Sequence, residues 1–391
     1  MPKKTVGMLW LLSITIVFSI IFSLSYLIRG ENSYHFLAYS FTKGSLSLVV
    51  KPNYLSDLTP FNGKYFWTTG PFPAFLLFPF ALMFKLSFYE SFIKAPLSLF
   101  NFWLILQIAK SLNLSSKKSR ALALFYIFGS VYTPIMIIPI SVYLSALVTT
   151  TLLLATIFEF LNKRRWLLIG FLVSFATLTR FTPILSVFFF LPYLIKEKRF
   201  NLFVYFFAPI LAGLLFLGIY NYSRFGNILE TGHRYQLIEE EATRRRGIGV
   251  FSIQHIPANL YYMLLKSPDQ VKNVAMEVFK FPFVKFNPYG TSVFILSPIL
   301  FLLFRTHLKD KYVLPGLIAT SAILIPITMY YGLGFRQIGY WHALDFFPFL
   351  IFPLVSALKK TSLIKVYILT ALGIFITWFF IFQFFTLKIV S

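Results

Sequence analysis

Residues 29–79 read RGENSYHFLAYSFTKGSLSLVVKPNYLSDLTPFNGKYFWTTGPFPAFLLFP and form the first long polar segment of the chain. A mostly apolar, uncharged run at 8–28 ends just before it. Glu31, one of 13 acidic residues among 391, lies three positions past that run. A carboxylate at the edge of the hydrocarbon layer is costly to desolvate, so such a residue is usually kept for a function. The stretch therefore predicts a polar site at a membrane surface.

The composition is that of a membrane protein. The chain is 58% hydrophobic and 13% charged, with a mean hydropathy of +0.74, whereas a soluble domain is nearer half apolar and a quarter charged. Apolar runs of spanning length recur from end to end. The sequence predicts an all-α, polytopic membrane protein of about 11 to 12 transmembrane helices. These helices are expected to form a single domain over residues 1–391.

Charge and missing motifs exclude several classes of protein. The net charge of +23 comes from Lys and Arg spread over short loops, as in cytoplasmic loops and unlike a nucleic-acid-binding domain. The chain has no cysteine, which excludes disulfides and thiolate catalysis. The sequence has no Walker loop, no dinucleotide fingerprint and no G-x-S-x-G motif, and its histidine spacing suits no zinc site. A transferase acting outside would therefore need a membrane-borne activated donor.

Further spans are predicted beyond the first polar loop. Their approximate bounds are 94–110, 121–140, 141–161, 166–179, 181–195, 202–222, 291–304, 312–331, 343–358 and 366–387. The stretch 166–195 is compatible with one long helix or two short ones. Arg180 and Pro183 at its middle favour two helices that meet near Arg180, because the residue before a proline disfavours helix.

The basic loops predict the orientation in the plasma membrane. A cytoplasmic N-terminus places the loops 29–71 and 222–290 outside, and it requires the segment 72–84 to be re-entrant or to lie on the surface. The alternative places the N-terminus outside and lets 72–84 cross. Because that segment is short and rich in proline, it favours the first arrangement.

The loop 222–290 mixes apolar and charged residues, so we expect it to fold against the membrane domain. Within it, Glu240 with Arg244 and Glu241 with Arg245 have the i,i+4 spacing of a solvated helix stabilised by ion pairs.

Two acidic residues of the loop 29–71 are candidates for proton transfer. In a helix beginning near Glu31, His35 would share its face one turn later, and the carboxylate could take a proton from an acceptor hydroxyl. The alternative is that Glu31 is a helix N-terminal acid favoured by the dipole. Asp57 is compatible with a metal ligand or with a turn former, and its neighbours favour the turn.

Arginines at three separate positions near the outer surface suit a lipid-linked phosphate. The residues in question, with their polar neighbours, are Arg180, Arg224, Arg234, Arg336, Gln337, His342 and Asp345. The alternative is local pairing, of Arg224 or Arg234 with Glu230 and of Arg336 with Asp345.

The order of these features resembles the GT-C superfamily of membrane glycosyltransferases. The similar segments are YHFLAYSFTKGSLSL, GKYFWTTGPFPAFLLFP, LLIGFLVSFATLTRFTPIL, NYSRFGNILETGHRY and GFRQIGYWHALDFFPFL, which together span most of the chain. The resemblance implies inverting sugar transfer from a polyprenyl phosphate, with an acid of the first external loop as general base. That role falls on Glu31, with Asp57 as second candidate.

Two further residues of the first loop are candidates for contact with substrate, and the proposed donor has an expected acceptor. His35 and Lys64 join the arginine-site residues as substrate-binding candidates. The acceptor would be a glycan, a lipid or a protein of the cell envelope. No cofactor is assigned, and a divalent metal ion stays open. Two other functions stay open as well: a flippase for lipid-linked sugars, and a polymerase or ligase of surface glycans.

Overall fold

The computed structural model describes residues 3–28, 30–273 and 278–386, so Arg29, where the predicted external loop begins, lies outside the described residues. The α-helices of these ranges are α1 Lys3–Leu27, α2 Ser33–Thr42, α3 Phe72–Phe84, α4 Lys94–Ser111, α5 Ser116–Phe128, α6 Tyr132–Ile137, α7 Ser141–Asn162, α8 Trp166–Thr179, α9 Val187–Glu197, α10 Phe200–Phe225, α11 Glu240–Ile248, α12 Ile256–Leu260, α13 Val293–Leu296, α14 Val313–Met329, α15 Phe347–Lys360 and α16 Leu363–Thr386. The strands are β1 Leu58–Phe61, β2 Lys64–Trp67, β3 Asp269–Asn273, β4 Val278–Lys285, β5 Tyr289–Thr291 and β6 Gln337–Gly339.

The predicted all-α polytopic membrane fold is confirmed. Four helices of the described residues are long and apolar enough to cross a bilayer, namely Glu90–Ser111, Ser141–Asn162, Phe200–Phe225 and Leu363–Thr386. Shorter apolar helices accompany them at Leu12–Leu24, Phe72–Phe84, Trp166–Thr179 and Val313–Met329. Phe72–Phe84 has the bounds that the sequence predicted, and its 13 residues reach about 20 Å, short of the hydrocarbon thickness of about 30 Å.

Four predicted spans are interrupted rather than continuous. The segment 121–140 divides into α5 and α6, and 181–195 divides into a 3-10 turn, Thr182–Ser186, and α9. Likewise, 291–304 divides into α13 and the 3-10 turn Pro298–Arg305. Helix α15 begins only at Phe347, after a 3-10 turn at Trp341–Asp345. Apolar residues flank each break, so the apolar pattern of the sequence did not reveal the breaks.

Helix α7 is the central helix and the most buried of the four candidate spans. It packs between α4 and α8, and α8 packs in turn against α10. Helix α5 packs against α16, and α14 against α15. The N-terminus of α7, at Ser141, meets the polar segment that follows α1, where the backbone N–H of Ser33 donates to Ser141 Oγ.

Short strands cover one end of the helices and were missed at the sequence level. Strands β1 and β2 form an antiparallel hairpin joined at Asn62-Gly63, both with positive φ. Asn-Gly is the preferred pair for such a two-residue turn because both positions require the left-handed region. Strands β3 and β4 form a second antiparallel hairpin, and β5 pairs in parallel with β6.

The helix predicted within the loop 222–290 is present as α11. Its first ion pair is confirmed, with Arg244 Nη1 lying 2.8 Å from Glu240 Oε1. The second predicted pair is wrong. Glu241 accepts a hydrogen bond from the hydroxyl of Tyr289, and Arg245 Nε donates to the carbonyl of Tyr331, 3.1 Å away. Tertiary contacts of this loop therefore replace a pairing that only local spacing suggested.

Candidate active site

A cavity of about 650 Å³ lies where the polar loop after α1, the ends of α8 and α10 and the segment after α14 meet. Its ionisable and aromatic lining residues are Glu31, Tyr54, Asp57, Tyr143, Arg180, Phe181, Arg224, His233, Glu239, Arg245, Phe251, Tyr330, Tyr331, Phe335, Arg336, Trp341 and His342. Apolar side chains of α10 and α14, Leu217 and Ile327 among them, complete the lining. The cavity thus joins charged groups of both signs to an apolar wall supplied by membrane-embedded helices.

Glu31 is fixed against the N-terminus of α7. Its backbone N–H donates to the carbonyl of Pro139 at 3.0 Å, and the N–H of Ser141 donates to its Oε2 at 2.9 Å. Burial raises the pKa of Glu31 above its usual range. The Ser141 hydrogen bond and the charges of Lys94 and Arg336 act in the opposite direction. Glu31 therefore caps α7 rather than the helix that was predicted to begin near it, and it also lines the cavity. Its role as a general base stays a prediction.

A buried polar network supports the segment around Glu31. Glu90 Oε2 accepts hydrogen bonds from the backbone N–H groups of Tyr34 and His35, at 2.9 and 3.2 Å. Asn32 Oδ1 accepts from the N–H of Glu90 at 2.9 Å. The two bonds to Glu90 satisfy free N–H groups in the first turn of α2, where α2 itself has no acidic residue.

Lys94 holds the other side of the same site. Its Nζ donates to the carbonyls of Ile138 and Ile140 at 2.8 and 3.3 Å, in the segment that leads into α7. Lys94 is 1% exposed. Neither Glu90 nor Lys94 was a sequence-level candidate, because both fall within an apolar segment whose polar contacts are all distant in sequence.

Asp57 occupies a turn and lines the cavity as well. Its φ of 67° is left-handed, as expected of a turn former. Oδ1 accepts a hydrogen bond of 2.7 Å from Gln236 Nε2. Burial raises the pKa of Asp57 to about 7, the nearby charges of Glu31 and Glu239 add to that rise, and the Gln236 hydrogen bond opposes it. A carboxyl with this pKa can hold or release a proton near neutral pH.

Arg180 lies where two short helices meet, as predicted. Helix α8 ends at Thr179, and Arg180 has an extended backbone with φ −147° and ψ 141°. Its Nε lies 2.8 Å from Asp345 Oδ1, and its Nη2 lies 2.9 Å from His342 Nδ1. The guanidinium carbon lies 4.4 Å from the centre of the Trp341 ring. The alternative pairing of Asp345 with Arg336 is therefore wrong.

The loop before α3 passes directly over this helix end. A Cβ added to Gly70 would lie 2.1 Å from the carbonyl oxygen of Leu178. Only a residue without a side chain allows that approach. The close packing keeps Thr69 and Gly70, which also line the cavity, beside Arg180.

Arg224 is held by neutral groups at the end of α10. Nη1 donates to the carbonyl of Trp67 at 2.9 Å and Nη2 to Asn221 Oδ1 at 2.7 Å. Glu230, its suggested partner, instead accepts from the N–H of Gly232 at 2.7 Å. The Nε of Arg224 is buried and has no hydrogen-bond partner among the described residues. Arg224 therefore carries a positive charge at the cavity that no carboxylate in the described part of the chain neutralises by direct contact.

Arg245 and Arg336 supply the remaining positive charge of the cavity lining. His233 also lines the cavity, but as an uncharged imidazole. Arg336 is exposed, has a φ of 57°, and its carbonyl accepts from the hydroxyl of Tyr143 at 3.1 Å. Burial lowers the pKa of His233 to about 4, and the charges of Arg224, Arg180 and Arg246 lower it further. His233 belongs to the same motif as Arg224 and Arg234, and it lines the cavity together with Thr231.

Five predicted site residues do not line this cavity. They are His35, Lys64, Arg234, Gln337 and Asp345. His35 points away from it because α2 begins at Ser33, and its Nε2 lies 2.5 Å from the carbonyl of Lys85. Lys64 and Arg234 are exposed on the surface. Asp345 lies behind Arg180 and binds it.

Gln337 supports the cavity wall from behind. Its Nε2 donates to the carbonyls of Tyr289 and Leu333, both at 2.7 Å, and its Oε1 accepts from the N–H of Trp341 at 3.1 Å. It therefore secures β5 against β6 and sets the position of Trp341. Within residues 3–28, 30–273 and 278–386, no group of three or more His, Asp and Glu side chains has the arrangement of a metal site.

The overall arrangement of helices is also present in another protein of known structure. A solved structure that shows it is ArnT from Cupriavidus metallidurans, bound to undecaprenyl phosphate, with a TM-score of 0.54 and 12% sequence identity. The match covers 94% of this chain and 63% of ArnT, so the chain spans less than two thirds of that protein's length. Neither a protein-family model nor a curated protein sequence matches the chain.

Proposed function

We propose that the chain is an integral-membrane glycosyltransferase that moves a sugar from a polyprenyl-phosphate donor to an acceptor at the outer face. The observation that carries the proposal is one cavity that contains the carboxylates of Glu31 and Asp57 and the guanidiniums of Arg180, Arg224 and Arg336. The fold is shared with ArnT, which was solved with undecaprenyl phosphate. A lipid phosphate needs cations at its headgroup and apolar surface along its tail, and this lining offers both.

The proposed reaction is a single displacement. An acceptor hydroxyl gives its proton to a carboxylate, and its oxygen attacks the anomeric carbon from the face opposite the phosphate. The bond between that carbon and the phosphate oxygen breaks, and its electron pair stays on the polyprenyl phosphate. The anomeric configuration inverts. The arginines stabilise the charge that develops on the departing phosphate.

Glu31 is the proposed base and Asp57 the second candidate. Glu31 is held in place from two sides by hydrogen bonds to the segment before α7, and its pKa is raised by burial. Such a carboxylate combines a fixed position with a proton affinity above that of an exposed glutamate. Asp57, with a pKa near 7, would then act as a proton-carrying neighbour.

The proposal also covers the orientation of the cavity in the membrane, the acceptor and the need for a metal ion. The cavity would open at the outer face of the plasma membrane, with the N-terminus cytoplasmic and 72–84 in or on the membrane. The acceptor would belong to the cell envelope. Because Arg180, Arg224 and Arg336 supply positive charge for the phosphate, the proposed reaction needs no divalent ion, and unchanged transfer in the presence of EDTA would support this.

The test is turnover by the purified, reconstituted protein with a panel of polyprenyl-phosphate sugars. We expect transfer from at least one donor, and a loss of about 10²- to 10⁴-fold in Glu31→Gln, the range for removal of a general base. Glu240→Gln is the matched control because Glu240 is an exposed carboxylate of α11. Full transfer by a folded Glu31→Gln would remove its role as base. Movement of donor across the bilayer without transfer would instead indicate a flippase.

A further inference from the structure

The hairpin of β3 and β4 exposes large apolar side chains on both of its faces. Val278, Phe279 and Phe281 are 58%, 52% and 77% exposed, and Phe283 is 53% exposed. Every residue from 278 to 281 is exposed. Because successive residues of a strand point to opposite faces, neither face of β4 is covered by the described part of the chain.

The hairpin begins at the end of a membrane-spanning helix. Gln383 Nε2, in the last turn of α16, donates to the carbonyl of Val284 at 2.8 Å. Phe286, just past β4, packs against Phe380 and Phe384 of the same helix, with ring centres 6.5 and 5.8 Å apart. Since α16 is a candidate span, these contacts place the base of the hairpin where hydrocarbon gives way to lipid headgroups.

Lysines alternate with the aromatic side chains of the hairpin. Residues 266–285 contain four lysines and two acidic residues. One of those acids, Asp269, already pairs with Lys266 at 2.7 Å. The Nζ of Lys272 lies 5.3 Å from the centre of the Phe279 ring. Aromatic rings beside lysines are typical of the membrane interface, where the rings enter the acyl boundary and the ammonium groups meet anionic headgroups.

Backbone hydrogen bonding limits how deeply the hairpin can lie. β3 and β4 form a sheet of two strands, so within the described residues each strand has one edge without a strand partner. Unpaired backbone N–H and C=O groups are not tolerated in the hydrocarbon core, but they are solvated among headgroups. We propose that the β3–β4 hairpin lies in the headgroup layer of the leaflet at the C-terminal end of α16 and binds an anionic lipid surface.

This docking would connect the lipid surface to the cavity wall. From β4 the chain passes through Asn287 to β5, which pairs with β6 directly after Arg336. Asn287 Nδ2 donates to Asp269 Oδ2 at 2.8 Å and joins this passage to the base of β3. The inference concerns membrane docking and does not depend on the proposed reaction.

The absence of native cysteine allows a direct test with spin labels on single cysteines. Phe281→Cys and Phe283→Cys would be labelled, with Val278→Cys as a reserve position and Glu240→Cys as the matched aqueous control. The full chain would be placed in nanodiscs of phosphatidylcholine with or without phosphatidylglycerol. Power saturation measures how often the spin label collides with oxygen, which concentrates in lipid, and how often it collides with a nickel chelate, which stays in water. The ratio of the two accessibilities reports whether the label lies in lipid or in water.

We expect the hairpin labels to have an oxygen-to-nickel accessibility ratio several-fold higher than the label at position 240, and a further increase with phosphatidylglycerol. Ratios equal to that of position 240 would overturn membrane docking. The same ratio in both lipid mixtures would overturn the anionic part of the proposal. Dipolar broadening between spin labels at position 281 in proteoliposomes would overturn membrane docking, because it would show that the hairpins of two copies of the chain pair with each other.

Discussion

The backbone N–H of Ser141, the first residue of α7, donates a 2.9 Å hydrogen bond to Oε2 of Glu31. The first N–H groups of a helix lack partners inside the helix and carry its positive dipole end, so they stabilise a carboxylate placed there. The burial that raises the pKa of Glu31 is thus partly offset by a helix that begins 110 residues further along the chain. Loss of this hydrogen bond should therefore change both the position of the Glu31 carboxylate and the pH at which it ionises.

Lys94 is predicted to be a positioning residue for Glu31. Its Nζ binds the carbonyls of Ile138 and Ile140, which precede Ser141, and its charge lowers the pKa of Glu31. In Lys94→Met the pKa of Glu31 should rise further, so the acid limb of the pH–rate profile should move to higher pH while kcat falls and the donor KM changes little. Lys94→Arg, which keeps the charge, should restore the profile. If Lys94→Met lowers kcat but the acid limb of the pH–rate profile does not move, Lys94 has only a structural role.

Asp57 should make the protein less stable as the pH rises. The folded state raises the pKa of Asp57 from 3.8 to about 7, so between these values the folded protein binds more protons at this site than the unfolded chain. The stability that follows from this is present below about pH 4 and is lost as the pH rises through about 7. Thermal unfolding at pH 5 and pH 8 should therefore show a smaller decrease in Tm for Asp57→Asn than for the parent. Glu240→Gln should match the parent, and equal pH dependence in Asp57→Asn would contradict the prediction.

Local features of the sequence predicted the parts of the site that depend on local geometry. Arg180 was placed at a helix junction because Pro183 follows it, and α8 indeed ends at Thr179. The position of Glu31 after the first apolar run placed it at a membrane boundary, and it lines the cavity. The prediction that Glu31 and His35 share one face of a helix was wrong, because α2 begins two residues after Glu31, at Ser33.

Contacts between distant residues could not be predicted in the same way. Arg180 binds Asp345, 165 positions away, whereas spacing suggested the nearer Arg336 as the partner of Asp345. Lys94 lies in an apolar helix, and its role depends on carbonyls of another segment. The β3–β4 hairpin was missed because its alternating aromatics and lysines lie within a loop that was expected only to fold against the membrane domain.

Removal of Asp345 should destabilise the protein through Arg180. The Arg180 side chain is 11% exposed and that of Asp345 is fully buried, so Asp345→Asn leaves a buried cation without its acid. Breaking a buried ion pair from one side costs about 3–5 kcal/mol of folding free energy. Asp345→Asn should therefore lower Tm clearly. In a separate comparison, the double variant Arg180→Met/Asp345→Leu should lose less folding free energy than the sum of the losses in Arg180→Met alone and Asp345→Leu alone. Additive losses would show that the two side chains do not stabilise each other.

Arg224 and Arg234 form a matched pair for testing the phosphate site. Both belong to the same motif, but Arg224 is 6% exposed and lines the cavity, whereas Arg234 is exposed and does not. A hydrogen bond to a charged group contributes about 1.5–3 kcal/mol, so Arg224→Gln should raise the donor KM roughly 10- to 150-fold. Arg234→Gln should leave the donor KM unchanged. Arg224→Lys keeps the charge, and partial recovery of KM there would separate loss of phosphate binding from loss of the contact with Trp67. Equal effects of Arg224→Gln and Arg234→Gln on the donor KM would mean that the donor phosphate does not bind in this cavity.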